Sequence, residues 1–392
     1  MAVGKSPYRI ALLFNANKVY DRQVITGIGQ YLTLTRVKWD LFMEEDFRSR
    51  TVGIRQWRGD GIIADFDDPT VAEAVSCLPL PVVAVGGSYA HESDYPAGIP
   101  YVATDNQKLV RLAYDHLIEH GLQRFAFFGK PPEQDNRWAG ERERWFRQMT
   151  DDDDLEGIVY HGSPTSAGGW GRAQEDIAEW MRSLPKPIGI IAATDARARQ
   201  LLQSCVVADV PVPDQVAIVG IDDDPIVQML SSIRLTSVIQ GAEEMGRTAA
   251  QLLHQMLHGG DCSGERILVP PVGISVQASS QHRRMRSQYV MRARHFIRQY
   301  ACTGIKVEQV ANYAGVSRSL LEEHFKRDLK KSVHQAILEY KLETALRMLG
   351  DPSVSLADVA VRSGFTSVQY MYAVFRREYD CTPKQFLERA RH

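Results

Sequence analysis

The 392-residue chain has few of the features that mark secreted, membrane-spanning or metal-binding proteins. Its five cysteines (Cys77, Cys205, Cys262, Cys302 and Cys381) are odd in number and scattered, with no CxxC and no Cys/His ligand spacing. That argues against structural zinc and for free thiols in a reducing compartment. The first apolar run, Ile10–Phe14, is too short for a secretory signal, and no stretch approaches the length of a membrane span, so a cytoplasmic protein with no membrane contact is expected. No strand is followed by GxGxxG or a Walker lysine, and Gly27-Ile28-Gly29 falls inside a helix, where it serves packing. The eleven histidines are dispersed, and His116 and His120, at i,i+4 on one helix, read as surface residues. Neither a cofactor nor a metal is expected.

Net charge is also low, at −2, but it is unevenly spread. Residues 283–392 hold 20 Lys+Arg and 11 Asp+Glu, a net of +9, which leaves −11 for residues 1–282. A basic segment of helical periodicity is the electrostatic footprint of a phosphate-backbone binder. The length exceeds what one hydrophobic core supports, so several domains are expected.

The basic segment holds one helix–turn–helix pattern twice. Val310-Ala311, Ala314-Gly315-Val316-Ser317, Leu321 and Phe325 form the first copy. Val359-Ala360, Ser363-Gly364-Phe365-Thr366, Met371 and Phe375 form the second. Gly315 and Gly364 stand where a tight interhelical turn needs positive φ, and Ser317 and Thr366 read as the following N-caps. The offset is 49 residues through the turns and 50 at the phenylalanines, which points to one extra residue in the last helix of the second copy. Pro352 closes a long helix, Val333–Leu349.

Residues 8–240 alternate short apolar strands with amphipathic helices, the pattern of parallel sheets covered on both faces. Roughly ten such units imply two doubly wound lobes, over residues 1–276, with the chain crossing near 104 and 237. A polar linker at 277–288 leads to an all-α domain at 289–392. Ligands of doubly wound sheets sit at the carboxyl ends of the strands. Those ends carry Asn15, Tyr20, Asp21, Glu45, Ser88, Arg137, Trp138, Asp195, Arg197, Asp222 and Gln240. Carboxylates and amides beside arginines suit the donor and acceptor demands of sugar hydroxyls, and aromatic faces cover C–H surface. Singly, Asp21 and Asp105 are equally explained as N-caps. Asp151–Asp154 reads as a solvated loop. The pairs Glu44/Glu45 and Asp222/Asp223 leave a glycosidase as an alternative, though no activated nucleophile accompanies them. A sugar phosphate is disfavoured by the acidic strand ends.

The C-terminal segment resembles the AraC-type DNA-binding module. Lys341-Leu342-x-x-Ala345-x-x-Met348-Leu349, the Val-Ala…Ser-Gly-Phe run and Thr382-Pro383-x-x-Phe386 carry the likeness; Asp380 and Leu387 depart from the family's usual glycine and arginine. The first 275 residues are similar to the LacI/periplasmic-binding-protein fold at Arg137-x-x-Gly140, Thr194-Asp195 and Val219–Asp223. The order of parts resembles that of xylose-operon regulators over essentially the whole chain, notably at Leu13–Gln23, Glu44–Arg48, Ile63–Asp68 and Thr194–Arg199. The fold class implied is a two-lobed α/β periplasmic-binding-protein-like domain followed by an all-α domain with two helix–turn–helix motifs. D-xylose as the effector, transcription activation, a homodimer on double-stranded operator DNA, contact with RNA polymerase and location at the nucleoid are what the resemblance implies; a different sugar remains the alternative.

In each motif the second helix is expected in the major groove. With Leu320, Leu321 and Phe325 in the core, Arg318, Ser319, Glu322, Glu323 and Lys326 face DNA. By the same phasing Ser367, Val368, Gln369, Tyr372 and Arg376 do so in the second copy. Arg318 suits guanine, Gln369 adenine, Val368 a thymine methyl, and one of Glu322 and Glu323 cytosine N4.

Overall fold

The computed structural model describes residues 7–131, 136–164, 166–282, 287–349, 354–383 and 385–386. Pro352 and Leu387 lie outside them. The chain divides into two compact units, Met1–His282 and Arg283–His392.

The first unit opens with β1 (Tyr8–Leu13), α1 (Val19–Thr35), β2 (Trp39–Phe42), β3 (Gly61–Asp65), α2 (Pro69–Val75), β4 (Val82–Gly87) and β5 (Tyr101–Thr104). It continues with α3 (Asn106–Glu119), β6 (Phe125–Phe128), α4 (Arg137–Asp152), β7 (Gly157–Tyr160), α5 (Trp170–Ser183) and β8 (Ile188–Ala192). Then come α6 (Asp195–Ala208), β9 (Val216–Ile221), α7 (Pro225–Leu230), β10 (Thr236–Ile239), α8 (Ala242–Leu257), β11 (Arg266–Val269) and β12 (Gly273–Ser275).

Two six-stranded sheets result, in the orders β11-β5-β4-β3-β1-β2 and β12-β10-β9-β8-β6-β7. Every pairing is parallel except β12 on β10. Central strands such as β3, β4, β8 and β9 are buried along their whole length because helices cover both faces. The chain passes between the lobes at β5–α3 and β10–α8, near the expected 104 and 237, and once more at β11–β12, a third crossing not expected from the sequence. Gly27 of α1 and Gly246 of α8 allow these helices to touch at backbone distance, since a Cβ on either would overlap a carbonyl of the other.

Three sequence expectations change here. His116 is buried, with Nε2 2.7 Å from the Ser280 hydroxyl. Burial first, then the neighbouring His120, lowers its pKa to about 4, so it is a neutral core hydrogen-bonding group rather than a surface residue. Asp151 and Asp152 belong to the last turn of α4, and Asp153 accepts a 2.8 Å hydrogen bond from the Tyr114 hydroxyl. Residues 277–282 are built into the first unit: Gln277 N donates to Thr236 Oγ1 at 2.8 Å, and Ser279 and Ser280 are fully buried. Small polar side chains there satisfy buried strand ends, which mimics the composition of a linker.

The second unit is helical: α9 (Gln288–Tyr300), α10 (Val307–Ala314), α11 (Arg318–Leu329), α12 (Val333–Leu349), α13 (Leu356–Arg362) and α14 (Val368–Tyr379). Phe325 and Phe375 anchor two separate apolar clusters, one for each helix–turn–helix, and α12 contributes to both. Gly315 and Gly364 take φ values of 80° and 77°. Both second helices have twelve residues, so the extra residue lies in the second turn and not in the last helix. Ser317 caps α11, accepting from Leu320 N at 3.3 Å, whereas Ser367 rather than Thr366 caps α14, accepting from Tyr370 N at 3.1 Å. Leu320, assigned to the core by phasing, is exposed.

Candidate functional site

A cleft of about 320 Å³ opens between the lobes of the first unit at the carboxyl ends of the strands. That is small for a ligand pocket, at the monosaccharide end of a range of about 300–1,000 Å³. One wall is Asn17–Asp21 after β1, Asp65 at the end of β3 and Asp67 beyond it, Gly87 of β4 and Thr104 of β5. The facing wall holds Lys130, Asn136, Trp138 and Arg142, with Thr194, Arg197, Asp222, Asp224 and Gln240 beside them.

Asp21, in the first turn of α1, is fully buried. Its Oδ2 accepts the Asn15 N–H at 2.6 Å, while Oδ1 has no hydrogen-bond partner among the described residues. Burial, and then the nearby Asp65 charge, raise its pKa well above the carboxylate range. Asp65 accepts from Lys18 Nζ at 3.0 Å and from the Asp67 N–H at 2.9 Å. Asp67 is likewise raised by burial and Asp65, with Arg137 opposing. In the facing wall, Asp222 takes Gln240 Nε2 at 2.5 Å; Arg142 bridges Asn106 Oδ1 at 3.0 Å, Ala193 O at 2.6 Å and Gln240 Oε1 at 3.2 Å. Burial raises Asp222 despite the Arg142 charge. Asp222 and Asp223 hold φ at 131° and 53°, strained for non-glycine residues and concentrated at the mouth of β9. Trp138 presents its ring beneath the Arg142 guanidinium at 4.7 Å. The unpaired Asp21 oxygen, fixed donors and an aromatic wall together can bind a neutral polyhydroxylated molecule.

Of the expected binding residues, Tyr20, Asp21, Trp138, Arg197, Asp222 and Gln240 line the cleft. Asn15, Glu45, Ser88, Arg137 and Asp195 do not. Asn15 shapes the loop through its backbone N–H to Asp21. Glu45 is exposed on a loop beyond β2, its N–H turned to Glu44 Oε1 at 3.1 Å. Ser88 is buried against Asn106 Nδ2 at 3.3 Å. Arg137 crosses from α4 to the opposite lobe, donating to Gly87 O at 2.7 Å, Ser88 O at 2.6 Å and Asp67 Oδ1 at 2.5 Å, and stacking 3.6 Å over Tyr89. Asp195 lies behind the wall, accepting from the Ser237 hydroxyl at 2.6 Å and the Asp224 N–H at 2.8 Å; burial and Asp222 push its pKa up. Arg197 lines the cleft, yet its guanidinium is spent on Gly129 O at 2.9 Å, Gln200 Oε1 at 2.7 Å and His161 O; burial lowers its pKa to about 10. Asp105 caps α3 at Lys108 N, 3.0 Å away. Sequence reasoning missed Lys18, Asp67, Lys130 and Arg142. The strand-end rule reaches the first two, but Arg142 stands in mid-helix with nothing in the sequence to single it out.

In the second unit Arg318, Ser319, Glu323 and Lys326 are exposed on α11. Glu322 turns inward instead, accepting the Val333 N–H at 3.2 Å and so capping α12. Helix capping occupies Ser367 in the same way. Val368, Gln369, Tyr372, Ala373 and Arg376 form one shallow surface on α14. Among the described residues no helix is long and apolar enough to cross a membrane.

A two-lobed sheet fold around a polar cleft, joined to a basic double helix–turn–helix, defines a ligand-responsive DNA-binding regulator. Comparison with known proteins specifies it further. Residues 9–107 match the family described as XylR N-terminal domain, 114–280 a periplasmic binding protein-like domain, and 310–389 a helix-turn-helix domain. The chain is 45% identical to the xylose operon regulatory protein of Escherichia coli K12 over 97% of its own length and 96% of that protein's. It is 43% identical to the Haemophilus influenzae counterpart, covering 97% and 98%. A solved structure of a xylose-binding transcription activator, xylR, superposes with a TM-score of 0.88 at 44% identity, covering 97% of this chain and 98% of that one. The chain belongs to the family of xylose operon regulatory proteins.

Proposed function

We propose that this protein is a transcription activator switched by D-xylose, which binds in the interlobe cleft and alters the geometry of a homodimer on paired operator half-sites. The observation that carries the reading is the 45% identity to a xylose operon regulatory protein across both the sensor and the DNA-binding unit. The buried Asp21 oxygen that lacks a partner, opposite Gln240 and Arg142, supports a sugar with hydroxyl donors over an anionic ligand. A ligand shifts such a switch only by its differential affinity for two states; Arg137, reaching across the cleft, is a contact that lobe opening breaks. Contact with RNA polymerase and residence in the cytoplasm follow from this role. Glu44 and Glu45 lie away from the cleft lining, which weighs against glycosidase chemistry.

On DNA, Gln369 and Val368 read bases while Lys326 and Arg376 serve the backbone. Isothermal titration of the full chain with D-xylose, L-arabinose and D-ribose tests the sensor. Micromolar to low-millimolar binding of xylose alone is expected, and silence towards xylose would overturn the effector assignment. Sedimentation and DNA binding that do not change with saturating xylose would overturn the switch.

A further inference from the structure

A second cavity, of about 330 Å³, lies inside the DNA-binding unit between its two helix–turn–helix motifs. Its floor is one stripe of α12, His334, Ile337, Leu338 and Lys341, at the i, i+3, i+4, i+7 spacing of a single helix face. Its rim carries Lys306 before α10, Arg318 at the start of α11 and Tyr370 near the start of α14. The charge is one-sided: Lys306, Arg318 and Lys341 face a single carboxylate, Glu308. That carboxylate is held by Arg318 at 2.5 Å, so the groove already seats one anionic oxygen on its arginine.

The position matters as much as the charge. The first residue of one recognition helix and the third of the other stand on opposite sides of this groove. Two recognition helices in successive major-groove segments, about 34 Å apart, must straddle the intervening minor groove. The protein surface between them then lies over the backbone phosphates that flank that minor groove.

We propose that this groove is a phosphate site for the DNA backbone between the two half-contacts, and that Glu308 competes with the phosphate for Arg318. Arg318 is thereby a backbone-positioning residue and not the guanine reader its place on α11 suggests. Lys341, which donates to Gly364 O at 2.9 Å, fixes the far wall to the turn of the second motif. The inference rests on the DNA-binding reading given above.

The test uses the full chain with two duplexes, one recovered by in vitro selection and one of random sequence, and follows affinity between 50 and 200 mM salt. Each phosphate contact contributes about 0.9 to the slope of log K against log salt, about three- to fourfold in affinity over that interval. Arg318→Ala is expected to lower the slope by about one on both duplexes, and Lys306→Gln to do the same from a position outside the recognition helices. Glu308→Gln is expected to tighten both duplexes severalfold. Loss on the selected duplex alone for Arg318→Ala makes it a base reader and overturns the proposal. Unchanged slopes in folded Arg318→Ala and Lys306→Gln, checked by circular dichroism, overturn it too. Failure of the unsubstituted chain to prefer the selected duplex would instead strike at the DNA-binding reading itself.

Discussion

Replacing the two turn glycines one at a time separates backbone strain from packing in this protein. Gly315 and Gly364 share a left-handed conformation, with φ of 80° and 77°. Alanine in that region costs about 1–2 kcal/mol for any L-residue. At Gly315 nothing more is added, because the nearest atom to a new Cβ is the end of a flexible side chain, Arg292 Nη1, at 3.6 Å. At Gly364 the new Cβ would lie 2.6 Å from Cys302 O, 2.7 Å from its Cα and 2.8 Å from its carbonyl carbon. Those are backbone atoms of a tight turn packed into the first motif and cannot swing aside, so overpacking of about 1–3 kcal/mol is added. Gly364→Ala should therefore destabilise the DNA-binding unit by about 2–5 kcal/mol and Gly315→Ala by about 1–2 kcal/mol. All six tryptophans lie within residues 1–282, so tryptophan fluorescence follows the first unit alone, and a loss of far-ultraviolet circular dichroism without a fluorescence change reports unfolding of the second. Relief of the clash must move one motif against the other, so DNA affinity of the still-folded Gly364→Ala protein should fall further than stability alone explains. Equal destabilisation by the two substitutions would refute the reasoning.

Four buried carboxylates, three lining the cleft and Asp195 behind its wall, set a pH dependence. Burial raises Asp21 to about 7, Asp195 to about 8 and Asp67 and Asp222 to about 6, so the folded chain holds extra protons. Their protonated forms favour folding, and that contribution is lost as pH rises from about 4 through these values. Hydroxyl donors of a bound sugar favour the ionised forms, so xylose affinity should rise between pH 6 and 8 with proton release, visible by titration in buffers of different ionisation enthalpy; a flat profile refutes this. Asp21→Asn should leave stability unchanged or higher but weaken xylose binding at least tenfold, measured by calorimetry. Arg137→Ala should lower apparent xylose affinity although its side chain lies outside the cleft lining, with small-angle scattering showing a more open sensor. Asp380, left-handed at φ 52° after α14, should gain about 0.5–1 kcal/mol on replacement by glycine, read as a raised melting temperature.

Much of the architecture was legible because its causes are local. The expected alternation of short apolar strands and amphipathic helices is present, with strands such as Phe125–Phe128 and Val216–Ile221 set between helices. The turn glycines declare positive φ by residue type. Short elements were less visible: α2 and α7 offer too few residues for a period to emerge, and β11 and β12 read as one apolar run.

What the sequence determined by itself was the pair of doubly wound lobes, the twice-repeated helix–turn–helix and the opposite charge of the two parts, all products of short-range pattern and composition. Only the tertiary structure decided which polar groups share a cavity. Asp195 and Arg197 are two residues apart, yet one is sealed behind the wall by Ser237 and Asp224 while the other lines it. Arg142 reaches the cleft because α4 packs where Asn106, Ala193 and Gln240 converge. The cap of α14 is a local matter, Ser367 accepting from Tyr370 N three residues on, whereas Glu322 turns to α12 because its partner, the Val333 N–H, lies eleven residues away. A side chain's direction depends on partners brought in by the whole chain, and no local window contains them.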